Sequence, residues 1–194
     1  MMTLLIAAAA GHYSATSAQQ ESKSKLELTE LMQDLSQVKM ARGRFVERKY
    51  LAILNTPLES SGTLVYTAPG RLEKHMLLPR RESLILDGDT LVIDDREARQ
   101  RRSLVLQEHP AVWAFVESIR STLAGDLRTL NRFYEVSLQG EASRWRLQLK
   151  PSDPAMRELA SEIRISGSGT WVDLIEILGA GGDRSVMTVT RDAA

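Results

Sequence analysis

Cysteine is absent from the 194-residue chain. That excludes disulfides, thiolate metal sites, a cysteine nucleophile and a lipid-modified N-terminal cysteine. An excess of one charge is absent too: 25 Lys+Arg face 25 Asp+Glu, a formal net charge of zero. Proteins that neutralise phosphate are normally clearly basic, so nucleic acid is not an expected partner. Aromatic residues are scarce, at 5%, which leaves few surfaces on which a flat cofactor could stack. No apolar run is long enough to cross a bilayer as a helix, which takes roughly 20 residues.

Catalytic and metal-binding patterns are also missing. The histidines, His12, His75 and His109, fall in different segments with no paired ligand spacing, so no metal is expected. No Gly-rich stretch follows a strand and opens a helix in a phosphate-cradling pattern. Ser60-Ser61-Gly62 lacks the strand–turn–helix context of a nucleophile elbow. Asp94-Asp95 stand at a strand end, where a solvated turn accounts for them. The chain is expected to be neither an enzyme nor the holder of a cofactor.

What is present is the composition of a folded protein, 43% hydrophobic and 26% charged, which a disordered chain would not show. The exception is the N-terminus: residues 1–18 carry no Asp, Glu, Lys or Arg. Their apolar run TLLIAAAA at 3–10 suits the core of a secretory signal, and Thr16-Ser17-Ala18 offers small residues for cleavage before Gln19. No Lys or Arg precedes the run, as a secretory signal ordinarily has. Residues 1–18 are read as a signal peptide and 19–194 as a single exported, soluble domain.

Along that domain the apolar period changes from helical to extended and back. Residues 26–38 place Leu28, Leu31, Met32, Leu35 and Val38 on one face, the spacing of an amphipathic helix. Strands are expected at 45–54, 63–67, 72–78, 83–86, 90–93 and 103–107, with Asp87-Gly88-Asp89 as a hairpin turn. A helix follows at 110–123, with Val112, Val116, Ile119 and Leu123 in one stripe. Gly125 ends it and Asp126 caps a second helix at 127–132. Strands resume at 133–138, 144–149, 162–166, 171–178 and 185–190, with residues 179–182 as a turn before the last. The fold class is α+β: an antiparallel sheet of about eleven strands, which at that size tends to curl. Curled around a helix, it encloses an apolar interior.

Leu64-Val65-Tyr66 and Leu84-Ile85-Leu86 are apolar without alternation, so both faces of those strands are expected to be covered. An interior that is aliphatic and poor in aromatics suits an acyl chain. Burying a methylene is worth about 0.8 kcal/mol, so a chain of roughly 16 carbons has a partition free energy on the order of 12 kcal/mol and needs a shield to cross water. Arg96, Arg99, Arg101 and Arg102, with Arg80 and Arg81 nearby, form a basic cluster between strands. It is read as a solvated hairpin tip or as a patch meeting anionic headgroups or an acidic partner surface.

A series of segments then carries a resemblance: Phe45-Val46-Glu47 after the first helix; Ser61-Gly62-Thr63-Leu64-Val65-Tyr66-Thr67-Ala68-Pro69; Leu78-Pro79; Leu86-Asp87-Gly88-Asp89-Thr90-Leu91; Trp145 to Pro151; and Gly182-Asp183-Arg184-Ser185. In order and spacing, over residues 26–190, they resemble the LolA-like family of periplasmic outer-membrane lipoprotein carriers, in its divergent branch. The resemblance implies an unclosed β half-barrel of eleven strands lidded by helices, with a hydrophobic cavity for acyl chains. It implies lipoprotein or acyl-lipid cargo, an inner-membrane transporter and an outer-membrane acceptor as partners, and the periplasm as compartment. The acceptor of that system shares the fold but carries a lipidated cysteine, so a chain without cysteine resembles the soluble carrier. The family's carriers place an Arg before the Pro of the second segment, where it holds the lid; here that residue is Ala68. Leu72 stands where an aromatic is common.

A carrier of this kind is expected to work as a monomer and to line its cavity with Phe45, Leu64, Tyr66, Leu72, Met76, Leu84, Leu86, Leu91, Ile93, Leu104, Trp113 and Phe133. The alternative is a lipid-binding sensor of the same fold, linked to a lipid or pigment export system. A hydrolase comes third.

Overall fold

A computed structural model describes residues 26–179 and 181–192. The expected signal at 1–18 lies outside the described residues, as does Ala180 of the expected turn at 179–182. The first helical pattern becomes α1 (Leu28–Ser36), with Leu31, Met32 and Leu35 buried. No side chain caps its N-terminus, so packing of that apolar face holds it.

Six strands follow: β1 (Met40–Tyr50), β2 (Leu58–Thr67), β3 (Arg71–Leu78), β4 (Glu82–Asp87), β5 (Thr90–Asp95) and β6 (Gln100–Val105). Helices α2 (Pro110–Ala124) and α3 (Leu127–Phe133) interrupt them. Then come β7 (Tyr134–Glu141), β8 (Arg144–Pro151), α4 (Pro154–Leu159), β9 (Glu162–Ser168), β10 (Trp171–Leu178) and β11 (Arg184–Arg191). All eleven strands belong to one sheet, in the order β6-β5-β4-β3-β2-β1-β11-β10-β9-β8-β7. Every pairing in it is antiparallel. β6 and β7 are its two edges, so the sheet is not closed.

The period of two decides which face is inside. On β8, Trp145, Leu147 and Leu149 are buried while Arg144, Arg146 and Lys150 are exposed. Register sets Leu147 opposite Ile165 and Leu149 opposite Ile163 on β9. Leu31, Leu35, Leu130 and Tyr134 pack with them, so the helices fill the β7–β10 half of the concave face. Glycine makes two of these contacts possible. At Gly167 a Cβ would stand 2.5 Å from the Trp145 ring. Gly125 ends α2 at φ +68°, and a Cβ there would meet the Met32 carbonyl at 2.0 Å.

The other half of the concave face is not filled. β3 and β5 contain no fully buried residue. The expectation that both faces of residues 64–66 and 84–86 are covered is corrected. Val65 and Ile85 are half-buried outside, Leu64 and Leu84 are half-buried inside, and only Tyr66 and Leu86 are fully buried.

The element boundaries differ from expectation where polar residues alternate quietly. β1 starts at Met40, because the exposed Arg42 and Arg44 flank the inward Gly43. β2 starts at Leu58, through Glu59, Ser60 and Ser61, which form no apolar pattern. The expected strand at 103–107 gives way to a 3-10 turn at Leu106–Glu108, where Leu106 is buried. α4 lies in a stretch left unassigned by the sequence; six residues are too few to show a period. Asp153 caps it by accepting from the Ala155 amide at 2.8 Å, with Pro154 at the first helical position.

Candidate functional site

The unfilled half of the barrel holds a cavity of about 510 Å³, within the range of small-molecule sites. Its floor is Leu64 and Tyr66 of β2, Leu72 of β3, Leu84 and Leu86 of β4, and Leu91 of β5. Leu72 pairs with both Tyr66 and Leu86, and Leu86 pairs with Leu91, so these side chains form one row across four strands. Val172, Ile175 and Ile177 of β10 and Met187 and Val189 of β11 make the adjoining wall. The roof is α2: Phe115, Val116, Ile119 and Leu123 face the cavity beside Leu35 and Val38.

Register puts the charged part of the lining at one end. Glu47 and Lys49 of β1, Lys74 of β3 and Ser185 of β11 line it there. Glu47 is 4% exposed. Its Oε2 accepts from Lys74 Nζ at 2.5 Å and from Ser60 Oγ at 3.4 Å. Its Oε1 accepts from Ser185 Oγ at 2.7 Å, with Lys49 Nζ at 3.7 Å. Burial alone would raise the Glu47 pKa, but the charge and hydrogen bond of Lys74, the Ser185 hydroxyl and the Lys49 charge together hold it below the ordinary carboxylate value. Lys74 Nζ also lies 4.9 Å from the centre of the Phe45 ring. Burial raises the pKa of the Tyr66 phenol on the floor.

Six of the twelve expected cavity residues line this space: Leu64, Tyr66, Leu72, Leu84, Leu86 and Leu91. Phe45 does not. It is 1% exposed and lies under Lys74. Met76, Ile93 and Leu104 share the concave face by register, since Met76 pairs with Gly62, Ile93 with Leu84 and Leu104 with Leu91, but they stand outside the lining. Trp113 and Phe133 meet edge-to-face at 5.0 Å and pack against the helix-filled core. The walls from β10, β11 and α2 were missed as cavity residues. Their apolar spacing was legible, but which side faced empty space was not.

The arginines divide by element. Arg80 and Arg81 lie in the β3–β4 turn and Arg96 and Arg99 in the β5–β6 turn. The Arg96 amide donating to the Arg81 carbonyl at 3.3 Å joins the two turns. Arg101 and Arg102 stand on the edge strand β6, where charge discourages pairing with another chain. All six are exposed. Arg80 has acidic neighbours in Glu82 at 3.6 Å and Asp95 at 3.5 Å.

α2 is tied to the sheet from its own side. Arg120 Nη1 donates to the Gly88 carbonyl in the β4–β5 turn at 2.7 Å and also pairs with Glu117. Arg71 bonds Glu73 at 2.9 Å and Asp87 at 2.5 Å. Among the described residues, no group of three or more His, Asp or Glu is placed to hold a metal ion. No described helix is long and apolar enough to cross a membrane.

The family model for outer membrane lipoprotein carrier protein LolA-like proteins matches residues 20–194. The chain belongs to this LolA-like family. No curated protein matches the sequence. Among solved structures, it is similar to a LolA superfamily protein from Nitrosomonas europaea, at 10% identity and TM-score 0.42, over 87% of this chain and 96% of that one. It is similar to an outer membrane lipoprotein-sorting protein domain from Vibrio parahaemolyticus, at 7% identity and TM-score 0.43, over 86% and 90%. It is also similar to the MucA/MucB complex structure of Pseudomonas aeruginosa, at 13% identity and TM-score 0.47, over 84% of this LolA-like chain and 56% of that chain. At these identities the likeness is one of fold and says nothing of ligand or partner.

Proposed function

We propose that this LolA-like protein is a periplasmic carrier that shields acyl chains of lipids or lipoproteins on their way toward the outer membrane. The observation that carries the reading is the unfilled half of the barrel: a continuous aliphatic cavity between β1–β5, β10, β11 and α2. A folded chain would ordinarily pack such a surface. The row from Tyr66 through Leu72 and Leu86 to Leu91 can cover an extended chain along its length. Each methylene removed from water there contributes about 0.8 kcal/mol, which sums to useful affinity without any directional contact. No covalent step is required. Cargo enters when α2 lifts and leaves toward a surface that binds it more tightly, so direction comes from differences in affinity. Residues 1–18 act as the export signal and 19–194 as one carrier domain, taking cargo from an inner-membrane transporter and passing it to an outer-membrane acceptor.

The test is transfer of a fluorescent acyl lipid from donor to acceptor vesicles. The protein is expected to accelerate it. Leu64→Glu and Leu86→Glu place a carboxylate on the cavity floor and are expected to weaken binding by about tenfold or more. A folded variant that binds and transfers normally contradicts the assignment of that floor. Binding without transfer supports the sensor reading of the same fold.

A further inference from the structure

The charged end of the cavity is not neutral, and it is not saturated. Two lysines converge on one carboxylate, Lys74 at 2.5 Å and Lys49 at 3.7 Å. Ser185, Ser60 and Lys74 already occupy the Glu47 oxygens. An ammonium has three donors, and Lys74 uses one of them on Glu47. The group therefore carries one positive charge in excess and donors to spare, beside an aliphatic lining. Arg42 and Glu73 also border the cavity, but register turns their side chains to the outer face, where Arg42 meets Asp192 at 3.2 Å and Glu73 meets Arg71 at 2.9 Å.

We infer that Lys74 and Lys49 form a headgroup site for an anionic single-chain amphiphile, whose carboxylate they hold while its acyl chain lies along the apolar floor. This rests on the carrier reading and names the class of cargo. A cation at the edge of an apolar cavity binds more strongly when its partner is ionised and water is excluded. An ester or amide head carries no charge. It gains nothing from the free donors of Lys74 or from the charge of Lys49, whose side chain is 52% exposed at the mouth, so the site favours the ionised head over it. Glu47 positions the ammonium groups and, being negative, limits their affinity.

The test titrates the whole protein at neutral pH with cis-parinaric acid and with its methyl ester, which share one polyene chain and differ in head charge. The acid is expected to bind about tenfold tighter or more. Lys74→Met and Lys49→Met combined with Glu47→Gln remove all three charges without stranding any and keep the cavity walls. This triple variant is expected to bring the ratio of acid to ester binding close to one while ester binding persists. Glu47→Gln alone is expected to raise that ratio. Equal binding of acid and ester by the unaltered protein, or a ratio unchanged in the triple variant, overturns the headgroup site and leaves the carrier reading standing. Binding of neither probe overturns both.

Discussion

Glu47 stands where a carboxylate is costly, 4% exposed on the wall of an aliphatic cavity. It stays ionised because Lys74, Ser185 and Lys49 outweigh the burial that opposes it, holding its pKa below the ordinary 4.5. The unfolded chain therefore takes up a proton at higher pH than the native one. The stability Glu47 contributes is complete above its unfolded value and is lost as pH falls through the depressed native value. Glu47→Gln abolishes that dependence. Melting temperature followed against pH should show the native protein's advantage over Glu47→Gln shrinking as pH drops below 4.5, and a constant gap would contradict the balance. This cluster was not legible in the sequence. On β3, Leu72, Lys74 and Met76 face in while Glu73 and His75 face out, so polar residues occupy both faces and nothing marks Lys74 as internal. Phe45, expected among the cavity residues, is covered by that lysine and does not line the space. The five leucines and one tyrosine of the floor were legible, because a period of two and a correct register suffice to place them.

At the scale of the element, α2 roofs the cavity. Its apolar stripe was read as Val112, Val116, Ile119 and Leu123. The last three line the cavity, while Val112 is 39% exposed. A 3.6-residue period identifies a face but not what lies beneath it, so the same pattern fits packing on a core or roofing a void. The Ala68 position expected to matter for the lid contributes no side-chain tether. The tether comes instead from the helix, Arg120 to the Gly88 carbonyl. Removing it with Arg120→Ala costs about 1 kcal/mol of closure, enough to raise the open population about fivefold. Hydrogen exchange should show faster opening of α2 with the β7–β10 strands unchanged. Equal protection in both proteins would show that Arg120 does not hold the roof.

The whole molecule is a barrel filled on one side. Helices, Trp145 and the Leu147–Ile165 and Leu149–Ile163 pairs make a conventional core over β7–β10. The strands β2–β5 keep most of their inward aliphatics half-buried around the cavity, with Leu86 fully buried. About eleven strands, an antiparallel sheet and the helical insertion followed from turn residues and period; the strand order, with β1 beside β11, did not. The division into a packed and an empty half did not, because it depends on which strands the helices lie against, a contact far apart in sequence. That division is the basis of the carrier reading. Its most direct measurement is solvent extraction of the natively purified protein followed by mass spectrometry of the extract. The account predicts an acyl species in near-equal molar ratio to protein, enriched in ionisable single-chain lipids. An extract free of acyl compounds, from a folded protein that also takes up none when incubated with them, would contradict it.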